Sequence, residues 1–425
     1  MHIEDLYLLY LQNPEIETDT RKIKPGHMFF ALKGPNYNGN HYLRQAFEAG
    51  ASYCITDENY TGDLNNVIKV KDSLVSLQQL AKKHRQQLNI PVLAITGSNG
   101  KTTTKELIHE VLSSSFKTYT TQGNLNNHIG IPITILRIKN DAEIAVIEMG
   151  ANHLKEIESY CQYTLPTHGL ITNCGKAHLE GFGSLEGVLK GKTELFNYLE
   201  KNEGTVFINN DYEYLKPYAD NIPKKITYGS KGASYTGRVK DDKAFLEVTI
   251  TKGANLPSIK TQLVGGYNLP NVLAAVAVAK TFNIADEKIK QSLENYTASN
   301  SRSQLLHAGS NRIILDAYNA NPSSMQLAIK NFANMEGQKK ILILGSMMEL
   351  GQDSDAEHEE IIVLIEKYKW AAVALTGNGY KNAPDYFQHF KDAAETAKWF
   401  KAENFQNAMV LIKGSRSMQM EKVLQ

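Results

Sequence analysis

Val92-Leu93-Ala94-Ile95, then Thr96-Gly97-Ser98-Asn99-Gly100-Lys101-Thr102-Thr103-Thr104-Lys105, then an amphipathic stretch expected to turn helical near Glu106, decide how this chain is read. The order is strand, glycine loop, helix. Gly97 and Gly100 let main-chain N–H groups turn toward an anion with no β-carbon in the way. The helix behind the loop brings its N-terminal dipole to the same point, and Lys101 adds a full positive charge. Thr102 follows where a hydroxyl reaches a magnesium ion. A nucleoside triphosphate site is predicted. The common phosphate loop, Gly-x-x-x-x-Gly-Lys-Ser/Thr, would place glycine at position 95, where Ile95 stands. The shorter Gly-x-x-Gly-Lys-Thr is not the loop of an ordinary motor or GTPase.

The 425 residues allow about three domains. With 42% hydrophobic and 21% charged residues, the composition is that of a soluble globular protein. The net charge of +1 leaves no basic footprint for nucleic acid, so an anionic substrate has to be held by local sites. No apolar run approaches the roughly 20 residues that span a bilayer. The start, Met1-His2-Ile3-Glu4-Asp5, has no basic region followed by an apolar core, so no signal peptide is indicated. Cys54, Cys161 and Cys174 are odd in number and lack metal-ligand spacing; they are expected to be reduced and buried, as in the cytosol.

Residues 1–88 read as a small α/β unit, with strands at Met28–Leu32 and Ser52–Thr56 and helices near 41–49 and 72–88. Residues 89–299 follow Pro91 and show apolar strands ending in polar turns: Ile144–Glu148, Gly169–Asn173, Val206–Asn209. Helical stretches separate them, which predicts a parallel, doubly wound sheet. Residues 224–264 alternate instead and predict a small antiparallel sheet with a turn at 241–243. An alanine-rich helix, Asn271–Lys280, closes this unit. Residues 300–425 start a new α/β cycle, with strands at Arg312–Asp316, Lys340–Gly345, Ala371–Gly377 and Ala408–Gly414. Ser354-Asp355-Ala356-Glu357 is expected to be a capping box. There is no internal repeat.

In open α/β sheets ligands bind beyond the carboxyl ends of the strands. Glu148 ends such a strand and is placed for a magnesium ligand, or else for a helix cap or solvated terminus. His178, in Asn173-Cys174-Gly175-Lys176-Ala177-His178, is either structural or a ligand. Lys192, taken alone, reads as the solvated face of a helix. Asn124, Asn126 and Asn127 mark a loop rich in amides. Asp316–Pro322 and Lys413–Arg416 each follow a strand and are further site candidates.

The order and spacing of these segments resemble the Mur ligase family, the ATP-dependent amide ligases of bacterial peptidoglycan synthesis. The pieces carrying the resemblance are Thr96–Lys105, Asn124–Pro132, Glu148–Ala151, Asn173–Ser184, Lys192–Phe196, Tyr267–Ala279, Asp316–Pro322 and Lys413–Arg416, nearly the whole chain. Within the family, Tyr318–Met325, Leu344-Gly345 with Met348–Gly351, and Asp19–Gly26 look like the members that join D-alanyl-D-alanine to UDP-N-acetylmuramoyl-tripeptide. Two positions depart: Leu315-Asp316 where Asp-Asp is frequent, and Ser346 where many carry Asp.

The resemblance implies an α/β protein of three domains. They are a UDP-substrate-binding domain (1–88), a central ATPase-like domain with a mostly parallel sheet and a small antiparallel insertion (89–299), and a Rossmann-like C-terminal ligase domain (300–425). It implies that Gly97, Ser98, Asn99, Gly100, Lys101, Thr102 and Thr103 hold ATP phosphates, and that Asn268 and Asn271 lie near base and ribose. Arg302, Asp316 and Tyr318 would complete the site from the C-terminal domain. Thr102 and Glu148 would hold one magnesium and His178 would help bind a second, with Lys192 carbamylated by carbon dioxide into a carboxylate-like group near the metal. The catalytic set is then Lys101, Glu148, His178 and Lys192. Thr20, Arg21, Lys33, Asn124 and Asn127 would contact the UDP-tripeptide and its partner substrate. A cytoplasmic monomer, with no nucleic-acid or membrane partner, is expected.

The implied chemistry starts from a carboxylate, a poor electrophile. It takes the γ-phosphoryl group of ATP to become an acyl phosphate, and the amine of D-alanyl-D-alanine displaces phosphate. Other Mur-type ligases and folylpolyglutamate synthase share this chemistry, but in the latter the phosphate loop lies much nearer the N-terminus. A noncatalytic nucleotide-binding module would have no reason to keep Lys101, Glu148, His178 and Lys192 together.

Overall fold

The computed structural model describes residues 1–241, 245–298 and 301–425. Positions 242 and 243 of the expected turn, and the expected boundary at 299–300, lie outside the described residues. The described chain forms three principal sheets.

The central sheet has nine strands, in the order Ile259–Lys260, Glu247–Lys252, Tyr235–Asp241, Lys224–Gly229, Thr205–Asn209, His168–Ile171, Val92–Thr96, Ile144–Glu148 and Thr118–Thr120. Its alternation explains how it is covered. Val92 and Ala94 join one apolar cluster, while Leu93 and Ile95 join the other. Ala145 and Ile147, against Ile144 and Val146, repeat the split. Successive side chains leave opposite faces of a strand, so a run apolar at every position must be covered on both sides. The helix Leu269–Thr281 is apolar all round and packs beside Lys101–Ser113 on one face. The helix Leu185–Lys201 contributes Val188, Leu195 and Leu199 on the other.

Two expectations are corrected. The residues 224–264 do not build a separate sheet: Lys224–Gly229 pairs in parallel with Thr205–Asn209 and with Tyr235–Asp241, and only the last three strands are antiparallel. The insertion therefore extends one edge of the main sheet. The helix after the glycine loop begins at Lys101, five residues before Glu106, because Gly100 takes a left-handed φ of 78° and turns the chain directly into it. Lys101 and Thr102 thus sit in its first turn.

The first sheet, Ile16–Glu17, Met28–Phe30, Tyr53–Thr56 and Val67–Lys69, is parallel throughout. The helices Ile3–Gln12 and Ser73–Gln87 share an apolar cluster with the central sheet, through Leu6, Tyr7, Tyr10, Leu77 and Leu80. Polar anchors reinforce that packing. His84 Nε2 lies 2.7 Å from Ile138 O, and Arg85 Nε donates to Thr164 O at 3.0 Å.

The third sheet runs Gln304–Ala308, Asn311–Asp316, Met409–Lys413, Lys340–Gly345, Ala372–Thr376 and Gln388–Phe390, with one antiparallel edge pair and the rest parallel. Leu342 and Leu344 face one cluster, Ile341 and Ile343 the other. The expected capping box at Ser354 does not form. A 3-10 turn at Gly351–Asp353 leads straight into the helix Ser354–Glu366, whose first turn has no side-chain cap. A capping box occurs instead at Asn321 and Ser324, ahead of the helix Pro322–Asn334. Cys54 and Cys161 are buried thiols, but Cys174 is only half-buried, because it stands in the loop past a strand end. No helix among the described residues is long and apolar enough to cross a membrane.

Candidate active site

Strand order reverses around Val92–Thr96, with Ile144–Glu148 on one side and His168–Ile171 on the other. A crevice opens past the carboxyl ends at such a switch point. It is a cavity of about 510 Å³ between the central and C-terminal sheets.

The phosphate loop is shaped by the chain's own contacts. Gly97 has φ 141°, and a β-carbon there would lie 2.0 Å from Thr172 Oγ1. Stitches to the next strand end hold the loop: Ser98 N donates to Asn173 O at 2.8 Å, Asn99 N donates to Asn173 Oδ1 at 3.0 Å, and Thr172 Oγ1 donates to Asn99 O at 2.7 Å. Lys101 Nζ donates to Gly97 O at 2.7 Å and Ser98 O at 3.1 Å. Desolvation pushes its ammonium pKa below the usual lysine range. Such a cation is stabilised by a nearby anion.

Glu148 is 2% exposed. Thr102 Oγ1 donates to its Oε2 at 2.8 Å, and Asn126 Nδ2 donates to its Oε1 at 2.7 Å. Both of these donors are neutral, and the positive charge that such a buried carboxylate needs comes from the Lys101 and Lys105 ammonium groups, which interact with it electrostatically. The oxygen donors of Glu148 and Thr102 fit magnesium, which takes one or two carboxylates and leaves its other positions to water and substrate phosphates. Among the described residues no group of three or more His, Cys, Asp or Glu is placed to hold a metal ion.

His178 lines the same cavity. Its Nδ1 is hydrogen-bonded to Glu349 Oε2, from the C-terminal unit, and this bond holds the Glu349 carboxyl below its usual range. Lys192 lies one layer behind the wall. It is fully buried, donates from Nζ to Ala151 O at 2.9 Å, and sits 5.0 Å from the Phe182 ring centroid. Burial first, and the positive Lys101 second, push its pKa down to about 7. The solvated-face reading of Lys192 is overturned, since the helix turns that side toward the sheet.

The far wall comes from the helix Leu269–Thr281 and the C-terminal unit. Asn271 Oδ1 accepts from Thr104 Oγ1 at 3.0 Å, and its Nδ2 donates to Asn268 Oδ1 at 2.9 Å. Arg302 stacks on Tyr318 at 3.5 Å from the ring centroid, and its Nε is buried with no hydrogen-bond partner. Lys413 Nζ donates to Asp316 Oδ2 at 2.6 Å.

Ser98, Asn99, Gly100, Lys101, Thr102, Thr103, Asn124, Asn127, Glu148, His178, Asn268, Asn271, Arg302, Asp316 and Tyr318 all line this one cavity. Asn127 also uses its Oδ1 to accept from Gly130 N at 2.9 Å, holding the start of the next helix. Gly97 and Lys192 stand outside the lining. Thr20, Arg21 and Lys33 belong to the first sheet unit and are not brought to the cavity. Arg21 pairs with Asp19 at 2.8 Å, and Lys33 with Asp57 at 2.9 Å and Glu58 at 3.0 Å. Asn126, Asn173, Asn321 and Lys413 also line the cavity; Asn321 and Lys413 lie in the candidate segments Asp316–Pro322 and Lys413–Arg416, though no individual role was expected of any of the four. For Asn126 the signal was present in the Asn124–Asn127 run; for Asn321 it was the Asn-Pro-Ser-Ser helix start.

Known proteins share this architecture. The family model of the Mur ligase middle domain matches residues 95–279, and that of the Mur ligase glutamate ligase domain matches 301–416. The UDP-N-acetylmuramoyl-tripeptide--D-alanyl-D-alanine ligase of Bacillus subtilis (strain 168) is 33% identical over 97% of this chain and 94% of its own length. The crystal structure of MurF from Acinetobacter baumannii superposes with a TM-score of 0.88 at 27% identity, covering 96% of this chain and 92% of that one. MurF ligase from Thermotoga maritima, solved in complex with ADP, gives 0.87 at 25% identity and covers 97% of both chains. By sequence over nearly its full span and by fold, the chain belongs to the Mur ligase family.

Proposed function

We propose that this chain is the ATP-dependent ligase that joins D-alanyl-D-alanine to UDP-N-acetylmuramoyl-tripeptide, giving ADP and phosphate. The observation carrying this reading is the convergence of a glycine phosphate loop, a buried carboxylate bonded to the loop's Thr102, and an arginine from a second sheet unit on one cavity. The near-full-length likeness to relatives of that name supports the choice of substrates.

The loop amides and Lys101 bind the phosphates, and Asn268 and Asn271 border the nucleoside. Thr102 and Glu148 would hold one magnesium ion and His178 would help hold a second, which would supply positive charge against the phosphoryl oxygens. The tripeptide carboxylate attacks the γ-phosphorus and ADP leaves; the amine of D-alanyl-D-alanine then attacks the acyl carbon and phosphate departs. Arg302, from the C-terminal unit, adds positive charge opposite Lys101. Water would hydrolyse the acyl phosphate, and the C-terminal unit seated over the cavity excludes it. Neutral Lys192, with its depressed pKa, is competent to capture carbon dioxide. The carbamate formed would add a negative charge behind Ala151. Thr20, Arg21 and Lys33 serve the uridine diphosphate end, with Asn124 and Asn127 nearer the reacting end. The three units are assigned to 1–88, 89–299 and 300–425, and the enzyme works as a cytoplasmic monomer.

Phosphate release tests the reading. It should require both D-alanyl-D-alanine and the UDP-tripeptide. Release that instead needs folate and glutamate, or none with any acceptor, overturns it.

A further inference from the structure

Two non-glycine residues with left-handed backbones meet across the seam between the central and C-terminal units. His178 has φ 53° and Glu349 has φ 62°. Side chains other than glycine seldom occupy that region, and where they do, surrounding structure must hold them there. Here each holds the other. The His178 Nδ1 and Glu349 Oε2 are hydrogen-bonded, and Glu180 N donates to Glu349 O at 3.2 Å, so side chain and main chain of Glu349 both grip the segment 178–180. Gly351 packs onto the same place, its β-carbon position 3.4 Å from Glu180 Cα.

The bond has a chemical consequence. An ionised carboxylate only accepts, so Nδ1 carries the proton. Of the two uncharged tautomers, this bond selects the one with its lone pair on Nε2. A histidine oriented in this way by a carboxylate is a better ligand or acceptor than a free one. Glu349 comes from the C-terminal unit, so the ring is fixed only while that unit is docked. Docking itself has other supports: Lys176 Nζ bonds Glu357 Oε1 at 2.6 Å and Lys176 N donates to Ser323 Oγ at 3.0 Å.

We propose that Glu349 is a positioning residue that fixes His178 in its Nδ1–H form when the C-terminal unit seats, making completion of the phosphate cavity depend on closure. This rests on His178 serving the cavity as described above. The test uses the full chain carrying Glu349→Gly, Glu349→Gln or Glu349→Ala. Glycine relieves the backbone at φ 62° while removing the carboxylate, so Glu349→Gly should melt no lower than the parent. Its kcat should nevertheless fall about 10- to 100-fold, the usual loss for such a supporting carboxylate. Glu349→Ala should lose a similar factor. Glu349→Gln, whose amide oxygen still accepts from Nδ1–H, should recover most of it. Manganese binding followed by electron paramagnetic resonance, with a nonhydrolysable ATP analogue present, should weaken by about tenfold or more in Glu349→Gly. A Glu349→Gly enzyme with parental kcat and manganese affinity overturns the proposal. So does one whose activity falls only in step with its melting temperature. A parent inactive with both substrates would instead sink the ligase reading, and the manganese titration would still judge Glu349.

Discussion

Asn321 Nδ2 donates to Asn99 Oδ1 at 2.8 Å, joining the start of a C-terminal-unit helix to the middle of the phosphate loop. The same Asn321 side chain caps that helix, its Oδ1 accepting from Ser324 N at 2.9 Å. The two duties separate by substitution. Serine at an N-cap accepts as asparagine does but is too short to reach Asn99. Asn321→Ser should therefore leave the melting temperature within about 1–2 °C of the parent, since cap substitutions among good formers cost little. One lost hydrogen bond of about 1 kcal/mol corresponds to roughly a fivefold drop in kcat/KM for ATP. Steady-state kinetics beside a thermal melt would check both.

Gly97 has no alternative. Its φ of 141° excludes a β-carbon, and the space such an atom would enter belongs to Thr172 Oγ1, which braces the loop at Asn99 O. Gly97→Ala must displace that hydroxyl and release the loop. The expected result is a soluble protein whose KM for ATP rises by about tenfold or more, with a melting temperature lowered by several degrees. Nucleotide titration by calorimetry would measure the first effect directly.

Much of this arrangement was legible in the sequence. Residues 144–147 and 341–344 are apolar at every position because both faces are covered, and that signal survives without tertiary information. The two-residue strand Ile16–Glu17 carries no periodicity, so nothing marked it. The helix Ile3–Gln12 shows its pattern only in Leu6, Tyr7 and Tyr10, a stripe that makes sense once Tyr10 is seen to donate to Leu136 O. Glu148 and Lys101 were legible because a strand end and a glycine loop are local. Asn99 with Asn321, and His178 with Glu349, are separated by 222 and 171 residues, and only the docking of two units brings them together.

Lys192 gives the chain a pH-dependent term. Its pKa falls from the ordinary 10.5 to about 7 on folding. Between those values the unfolded chain holds a proton that the folded one has lost, so stability rises with pH across that window and declines toward its lower end. Lys192→Met removes the term. Its gain in stability over the parent should be largest near or below about pH 7 and should shrink toward about pH 10. Urea midpoints in carbon-dioxide-free buffer at the two ends would show this. Carbon-13 carbon dioxide should give the parent a carbamate resonance that Lys192→Met lacks, together with loss of ligase activity at every pH.

Asn126 is the neutral partner of a buried charge. Its Nδ2 donates to Glu148 Oε1 at 2.7 Å, while Thr102 satisfies Oε2 at 2.8 Å. A β-carbon at Gly150 would sit 3.0 Å from the Asn126 amide carbon, so the amide fits closely into place. Asn126→Ala leaves one carboxylate oxygen without its donor, a loss of about 1–3 kcal/mol for a buried polar group. Asn126→Asp is worse, because a second negative charge then faces Glu148 across a hydrogen-bond distance and one of the pair must bind a proton. At neutral pH Asn126→Ala should lower kcat/KM by about tenfold, and Asn126→Asp by about a hundredfold. Asn126→Asp alone should regain activity when magnesium is raised to millimolar excess, since the added cation offsets the added charge. Equal losses in the two variants, with no response to magnesium, would show that Asn126 acts by shape rather than through its hydrogen bond to Glu148.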